Sequence, residues 1–181
     1  MTFVTNRSAY NIQRVKEMRA SGTGGSYKGS YNRTDLNRVE GNVQEIAAEL
    51  VSTASFLVGL CEHLGVAMDK LYVPYDSADY EDVSVKTNWA SGDIPTESSM
   101  ARYLSNVELI RSSFGVYLNP GLPSTMTGLT FEGANAIEAH LKKVADILSD
   151  WITTQADNIT HAAAWQSGGY IDSGLLNCGM I

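Results

Sequence analysis

One stretch of this chain is written twice, and that repeat limits what it can fold into more than any other feature. YNRTDLNRVEGNVQEIAAEL, residues 31–50, returns as LTFEGANAIEAHLKKVADIL, residues 129–148. At one constant offset Asn37 aligns with Asn135, Glu40 with Glu138, Ala47 with Ala145 and Leu50 with Leu148. The apolar residues Val39, Val43 and Ile46 align with Ile137, Leu141 and Val144.

In the first copy Leu36, Val39, Val43, Ile46, Leu50, Leu57, Leu60 and Leu64, with Thr53 in one slot, recur at steps of three and four. That is an a/d heptad pattern held for about four heptads, a long amphipathic helix. The second copy repeats it through Ala134, Ile137, Leu141, Val144, Leu148 and Trp151 until polar Gln155 and Asn158 interrupt. Between them Met100, Tyr103, Val107, Ile110, Phe114 and Tyr117 keep the same spacing. Three such stripes require one shared seam, met either within one chain as a three-helix bundle or between chains as a trimer or higher oligomer.

The predicted fold is mainly α, a helical bundle with heptad, coiled-coil-like helices. Residues 1–30 form a basic N-terminal helix with a Gly/Ser linker, residues 31–155 the bundle, and residues 156–181 a C-terminal tail. Ser8 is the expected N-cap of a short first helix, Thr34 of the long second one, Thr96 of the third, and Thr127 or Thr130 of the last. Gly65 is a natural stop for the second helix. The alternation in 82–87 and the run at 71–73 predict a small β-hairpin-like insert within 71–89, with Pro74 at its edge. After Leu50 the apolar surface widens to include Val51, Ala54, Phe56, Val58 and Cys61, which implies burial on more than one side of the second helix. The tail residues Trp165, Tyr170, Ile171, Leu175 and Leu176 have little to bury against in a small domain and are expected to meet another subunit.

Charge is unevenly placed. Residues 1–38 carry seven Lys/Arg against two acids, a net of +5, whereas the rest carries six against eighteen, a net of −12. This disfavours nucleic-acid binding by the body and suggests a basic arm docked on an acidic surface of its own or a neighbouring subunit. The apolar run from Leu50 to Cys61 is short for a bilayer span, and no membrane anchor or signal segment is expected. Cys61 and Cys178 have neither disulfide nor metal spacing.

The scattered histidines His63, His140 and His161 read as surface or partly buried side chains, and the acidic loop Asp76, Asp79, Glu81 and Asp82 lacks the order of a calcium hand. No cofactor and no metal is expected. The repeated Asn37/Glu40 and Asn135/Glu138 pairs, three residues apart on a helix face, could serve as catalytic carboxylates. A structural role, bonding loop backbone against the helix start, suits a duplicated motif better. No enzymatic activity is predicted.

FVTNRSAYNIQRVKEMRASG, YKGSYNRTDLNRVEGNVQEIAAEL, VSVKTNWASGDIPTESSMARYLSNVELIRSSF and LTFEGANAIEAHLKKVADI, in that order, resemble a family of uncharacterised virion proteins of tailed phages and prophages of Firmicutes. The likeness covers most of residues 3–150; the Gly/Ser linker replaces a longer insert in that family. It implies a virion structural protein associated with the tail, baseplate or fibre. The expected partners are itself, other virion proteins and, in a second reading in which segment 71–89 with its tyrosines and Trp89 forms a binding face, the host cell surface. A neck, collar or head-fibre position is the alternative.

Overall fold

A computed structural model describes residues 1–23, 28–68, 80 and 83–166. It is mainly helical, with α1 at Ala9–Ala20, α2 at Arg33–Leu64, α3 at Glu97–Ser113 and α4 at Phe131–Gln166. Among the described residues there is no strand. Residues 83–90 are extended, but their alternation comes from packing on helices: Val83 and Val85 lean on the core while Ser84 faces solvent. The hairpin expected over 82–87 therefore has no ladder there, and the 71–73 segment lies outside the described residues.

The duplicated helices α2 and α4 lie side by side and run parallel. Arg38 and Asp35 near the start of α2 meet the region of Glu138 near the start of α4. At the far ends Leu57, Cys61 and Val66 cluster with Trp151, Ile159, Ala162 and Ala163. At 1.5 Å per residue, the pair runs for about 50 Å. The end of α4 continues unbroken past residue 156, so the sequence boundary between bundle and tail falls inside one helix.

The seam predicted from the heptads is the core of the single chain. Val39, Val43, Ile46 and Leu50 of α2, Tyr103, Val107 and Ile110 of α3, and Ile137, Leu141, Val144 and Leu148 of α4 are buried together. Leu36 is also buried, Met100 and Phe114 are partly buried against the same core, and Leu57 continues the seam with Leu60 and Leu64 at its edge. Tyr117 is exposed. In the second half of α4 the stripe does not stop at Gln155, which is itself buried, and Ile159 rather than Asn158 takes the following position. Each fully buried Leu or Ile contributes about 1.5–3 kcal/mol, which makes this seam the main source of stability. By length and mean hydropathy α2 could cross a membrane, but its most apolar stripe is buried against α4.

Local chemistry fixes where the helices start. Asn32, rather than Thr34, caps α2: its Oδ1 accepts from Thr34 N at 2.9 Å and Asp35 Oδ2 accepts from Asn32 N at 3.0 Å. The reciprocal capping box satisfies two otherwise orphaned donors, which a lone threonine could not. Thr96 and Ser99 cap α3 in the same way, and Thr130 accepts from Gly133 N at the start of α4. Gly65, at φ +66°, closes α2 in the left-handed region that a side chain disfavours.

Tyr31, just before α2, and Tyr103 of α3 hydrogen-bond through their hydroxyls inside the core. Burial pushes both phenols well above the ordinary tyrosine range. In the unfolded chain a tyrosine ionises near pH 10, whereas the folded pair keeps its protons. The contribution is therefore complete below about pH 10 and is lost as pH rises above it. Thermal melts between pH 8 and 11 are expected to be flat and then to fall, and the fall should be shallower in Tyr103→Phe. An identical alkaline slope in the variant would show that the pair does not set it.

Candidate functional site: two asparagine–glutamate clamps

Each Asn–Glu pair of the repeat grips an extended stretch of backbone. On α2, Asn37 Oδ1 accepts from Trp89 N at 2.7 Å and Asn37 Nδ2 donates to Trp89 O at 3.1 Å. Glu40 Oε2 accepts from Lys86 N at 2.5 Å. On α4, Asn135 Oδ1 accepts from Arg7 N at 2.9 Å and its Nδ2 donates to Arg7 O at 2.9 Å. Glu138 Oε2 accepts from Val4 N at 2.6 Å. The same two side chains thus hold the first and fourth residues of a four-residue extended segment, 86–89 in one case and 4–7 in the other.

The docked segments are themselves a repeat. Val4-Thr5-Asn6-Arg7 and Lys86-Thr87-Asn88-Trp89 share Thr-Asn at the middle. In both, the side chain of the fourth residue turns back onto the glutamate: Arg7 Nη2 lies 2.7 Å from Glu138 Oε1, and Trp89 Nε1 lies 3.0 Å from Glu40 Oε1. An arginine from elsewhere completes each glutamate. Arg38 reaches Glu138 at 2.7 and 3.1 Å, and Arg102 grips Glu40 with both terminal nitrogens at 2.8 and 2.9 Å.

The duplication is therefore larger than the helix. Each half is an extended segment, a shorter helix and a long helix, and each half's segment docks on the other half's long helix. Two residues beyond each glutamate, a further pair of equivalent side chains also binds non-helical backbone, though not at equivalent residues. Asn42 pairs with the backbone of Thr2, and its counterpart His140 accepts from Leu118 N at 3.1 Å. His140 is wholly buried, not a surface residue, and Nδ1 lies 2.8 Å from Ala136 O. The carbonyl at Nδ1 and the amide at Nε2 fix the orientation of the ring and favour the tautomer that donates from Nδ1.

Charge is balanced within each clamp. Arg7 and Arg38 face Glu138 and Asp35, with Arg7 Nη2 2.9 Å and Arg38 Nη2 2.6 Å from Asp35 Oδ1. In the other clamp Arg102 alone among the described cations pairs with Glu40, and the position equivalent to Asp35 is Gly133. Glu138 is 0% and Glu40 1% exposed. Burial works against the Arg38 charge, but its bonds to Glu138 and Asp35 outweigh that and raise its proton affinity. Buried carboxylates with every oxygen occupied are well placed to fix structure. They have no open acceptor turned towards a substrate.

No protein family, no curated protein and no solved structure matches the chain.

The other residues singled out by sequence lie apart from the clamps. His63 and His161 are exposed. Among the described residues no three His, Cys, Asp or Glu side chains gather as a metal site. Cys61 is buried in the lower seam, and burial raises its thiol above the usual range. The acidic residues Asp76, Asp79, Glu81 and Asp82 and the tail residues Tyr170, Ile171, Leu175, Leu176 and Cys178 lie outside the described residues, whereas Trp165 is exposed at the end of α4. A groove of about 860 Å³ runs between α1, the start of α3 and residues 124–129, floored by Val15, Leu36, Met100 and Leu104 with Lys16 and Arg19 on its rim.

Arg7, Asn42, Trp89 and Arg102 were missed by helix periodicity, because Arg7 and Trp89 lie in non-helical segments and Asn42 and Arg102 lie off the apolar stripes of their helices. The signal that could have found the two docked segments is the Thr-Asn pair, repeated upstream of the two helical copies.

Proposed function

We propose that the protein is a non-enzymatic building block of a tailed-phage virion, associated with the tail, baseplate or fibre, and working through contacts with copies of itself and with other virion proteins. The observation that carries this reading is where the resembling motifs sit in the fold. TNR, YNRTDLNRVE, VKTNWASGDIPT and ANAIE supply the two clamps and the caps beside them, so the residues that carry the resemblance act as ties between segments. Glu40 and Glu138, the carboxylates that could have served catalysis, are enclosed by backbone amides and arginines.

Of the basic arm, Arg7 is paired with acidic groups of its own chain, Asp35 and Glu138. The heptad seam meets itself within the chain, so assembly with further copies draws on surfaces outside the seam. A coiled-coil character of the parallel α2/α4 pair fits an elongated component with its long axis along a tail. Host recognition by segment 71–89 gains nothing from Trp89 or Tyr80, which are both buried.

Labelled antibody on purified particles, imaged by electron microscopy, tests the placement. Label at the distal tail or its fibres is the expected result. Label at the head or neck would assign the collar or head-fibre alternative, and particles without label would overturn the virion reading.

A further inference from the structure

Exposed charge is sorted along the bundle. At the end where α2 and α4 begin, Lys16, Arg19, Lys28 and Arg33 are exposed, and none has an acidic partner among the described residues. The acids exposed and unpaired there are Glu97 and Glu132. At the opposite end the balance reverses. After Arg38 on α2 and Lys143 on α4 neither helix carries another Lys or Arg, while Glu62, Asp150 and Asp157 are exposed and unpaired among the described residues. The sequence beyond α4 keeps the same sign, since residues 167–181 hold Asp172 and no Lys or Arg. A rod with a cationic end and an anionic end presents complementary fields to a copy placed in line with it. Such a contact is heterologous, head to tail, rather than two-fold.

The basic end offers more than charge. The groove of about 860 Å³ there has an apolar floor of Val15, Leu36, Met100 and Leu104, with Lys16 and Arg19 along its rim. An occupant matched to it carries apolar side chains with an acid among them. Tyr170-Ile171-Asp172-Ser173-Gly174-Leu175-Leu176 is such a run, and it follows α4 at the acidic end. The groove of its own chain is out of reach. Leu129 lines the groove just before α4 begins, and the 36 residues of α4 then carry the chain about 50 Å away. From Gln166 to Leu176 the chain spans at most about 36 Å even when fully extended. A copy placed in line brings the segment directly to the groove.

We propose that the groove between α1 and the start of α3 binds residues 170–176 of a second copy, with Asp172 facing Lys16 and Arg19 and with Ile171 and Leu175 on the apolar floor. The proposal rests on the reading of the chain as an assembly component and names both halves of the contact. Because the two halves lie on different surfaces, each pairing leaves one groove and one segment free, and the contact builds a linear array.

Sedimentation of the full chain over a range of concentrations tests it. The wild type is expected to form species larger than a dimer as concentration rises. Its association should weaken about tenfold or more between about 0.05 and 0.5 M salt, because screening shortens the reach of exposed charge. Lys16→Glu/Arg19→Glu disables the receiving end, and Asp172→Asn/Leu175→Asn the inserting end. Lys16 and Arg19 have no side-chain partner among the described residues, so the melting temperature of the first variant should be kept. Each variant alone should stay monomeric at concentrations about tenfold above those at which the wild type associates. An equimolar mixture of the two should form a one-to-one complex and grow no further, since it offers one intact groove and one intact segment per pair. Association of Lys16→Glu/Arg19→Glu equal to that of the wild type would overturn the groove as the receptor and leave the assembly reading standing. A mixture that stays monomeric would overturn the head-to-tail pairing, and wild-type association indifferent to salt would overturn the charge-matched ends. A wild type that stays monomeric throughout overturns the self-association, and particle labelling then decides the virion reading separately.

Discussion

Replacing Glu138 by alanine is expected to cost about 3–5 kcal/mol of folding stability, the usual penalty for stranding a buried charge partner. Glu138 is the carboxylate that Arg7, Arg38 and the amide of Val4 share. Without it two guanidinium groups face Asp35 alone, and the N-terminal segment loses one of its two anchors on α4. Against a typical total of about 5–15 kcal/mol, such a loss leaves a chain near its unfolding threshold. Urea unfolding measures it directly. Arg7→Ala combined with Glu138→Ala should cost less than the two single losses added together, because each single change strands the other's partner. A loss under about 1 kcal/mol for Glu138→Ala would mean that the clamp does not hold the N-terminal segment in solution.

Trp89→Ala is expected to cost a similar amount, about 3–5 kcal/mol, because a buried indole leaves a cavity and Glu40 loses a donor. The repeat makes a sharper version of this prediction. Arg7 occupies the equivalent place in the other half, yet Trp89→Arg should not restore stability. The second acid that balances Arg7 is Asp35, and its counterpart is Gly133, so an arginine at 89 would leave two cations on the single Glu40. Recovery of wild-type stability by Trp89→Arg would contradict the charge balance described for the two clamps.

Much of the helical framework was legible because burial imposes a period. The a/d positions from Leu36 to Leu64 and from Ala134 to Leu148 are the core stripe, and the capping residues Ser8, Thr96 and Thr130 bound helices where they stand. The structural role of Asn37/Glu40 and Asn135/Glu138 was also legible, since a pair repeated at one offset argues for a shared local task. What they bind was not. An extended segment held by side chains has no period of its own. The alternation of Val83 and Val85 imitated a strand, while the backbone of Ser84 and Lys86 beside them bonds to the side chains of Asn106, Arg102 and Glu40.

His140 shows a different limit. A histidine on an apolar helix face reads the same whether it is solvated or buried, and only the carbonyl and amide that meet its two nitrogens settle which. The seam likewise specified its apolar positions without specifying whether its helices came from one chain or several. That choice depends on the connections between helices, which place α3 beside its own α2 and α4.

Native-state amide hydrogen exchange on the full chain tests the two-clamp architecture most directly. The amides of Val4, Arg7, Lys86 and Trp89 lie outside helices, and each donates to Asn or Glu side chains of the repeat. They should exchange far more slowly than those of Thr5, Asn6, Thr87 and Asn88, and the two sets of anchors should be protected alike, as parts of one cooperative unit. Fast exchange at all four anchors, or protection in one segment and not in the other, would contradict a fold tied together twice by the same motif.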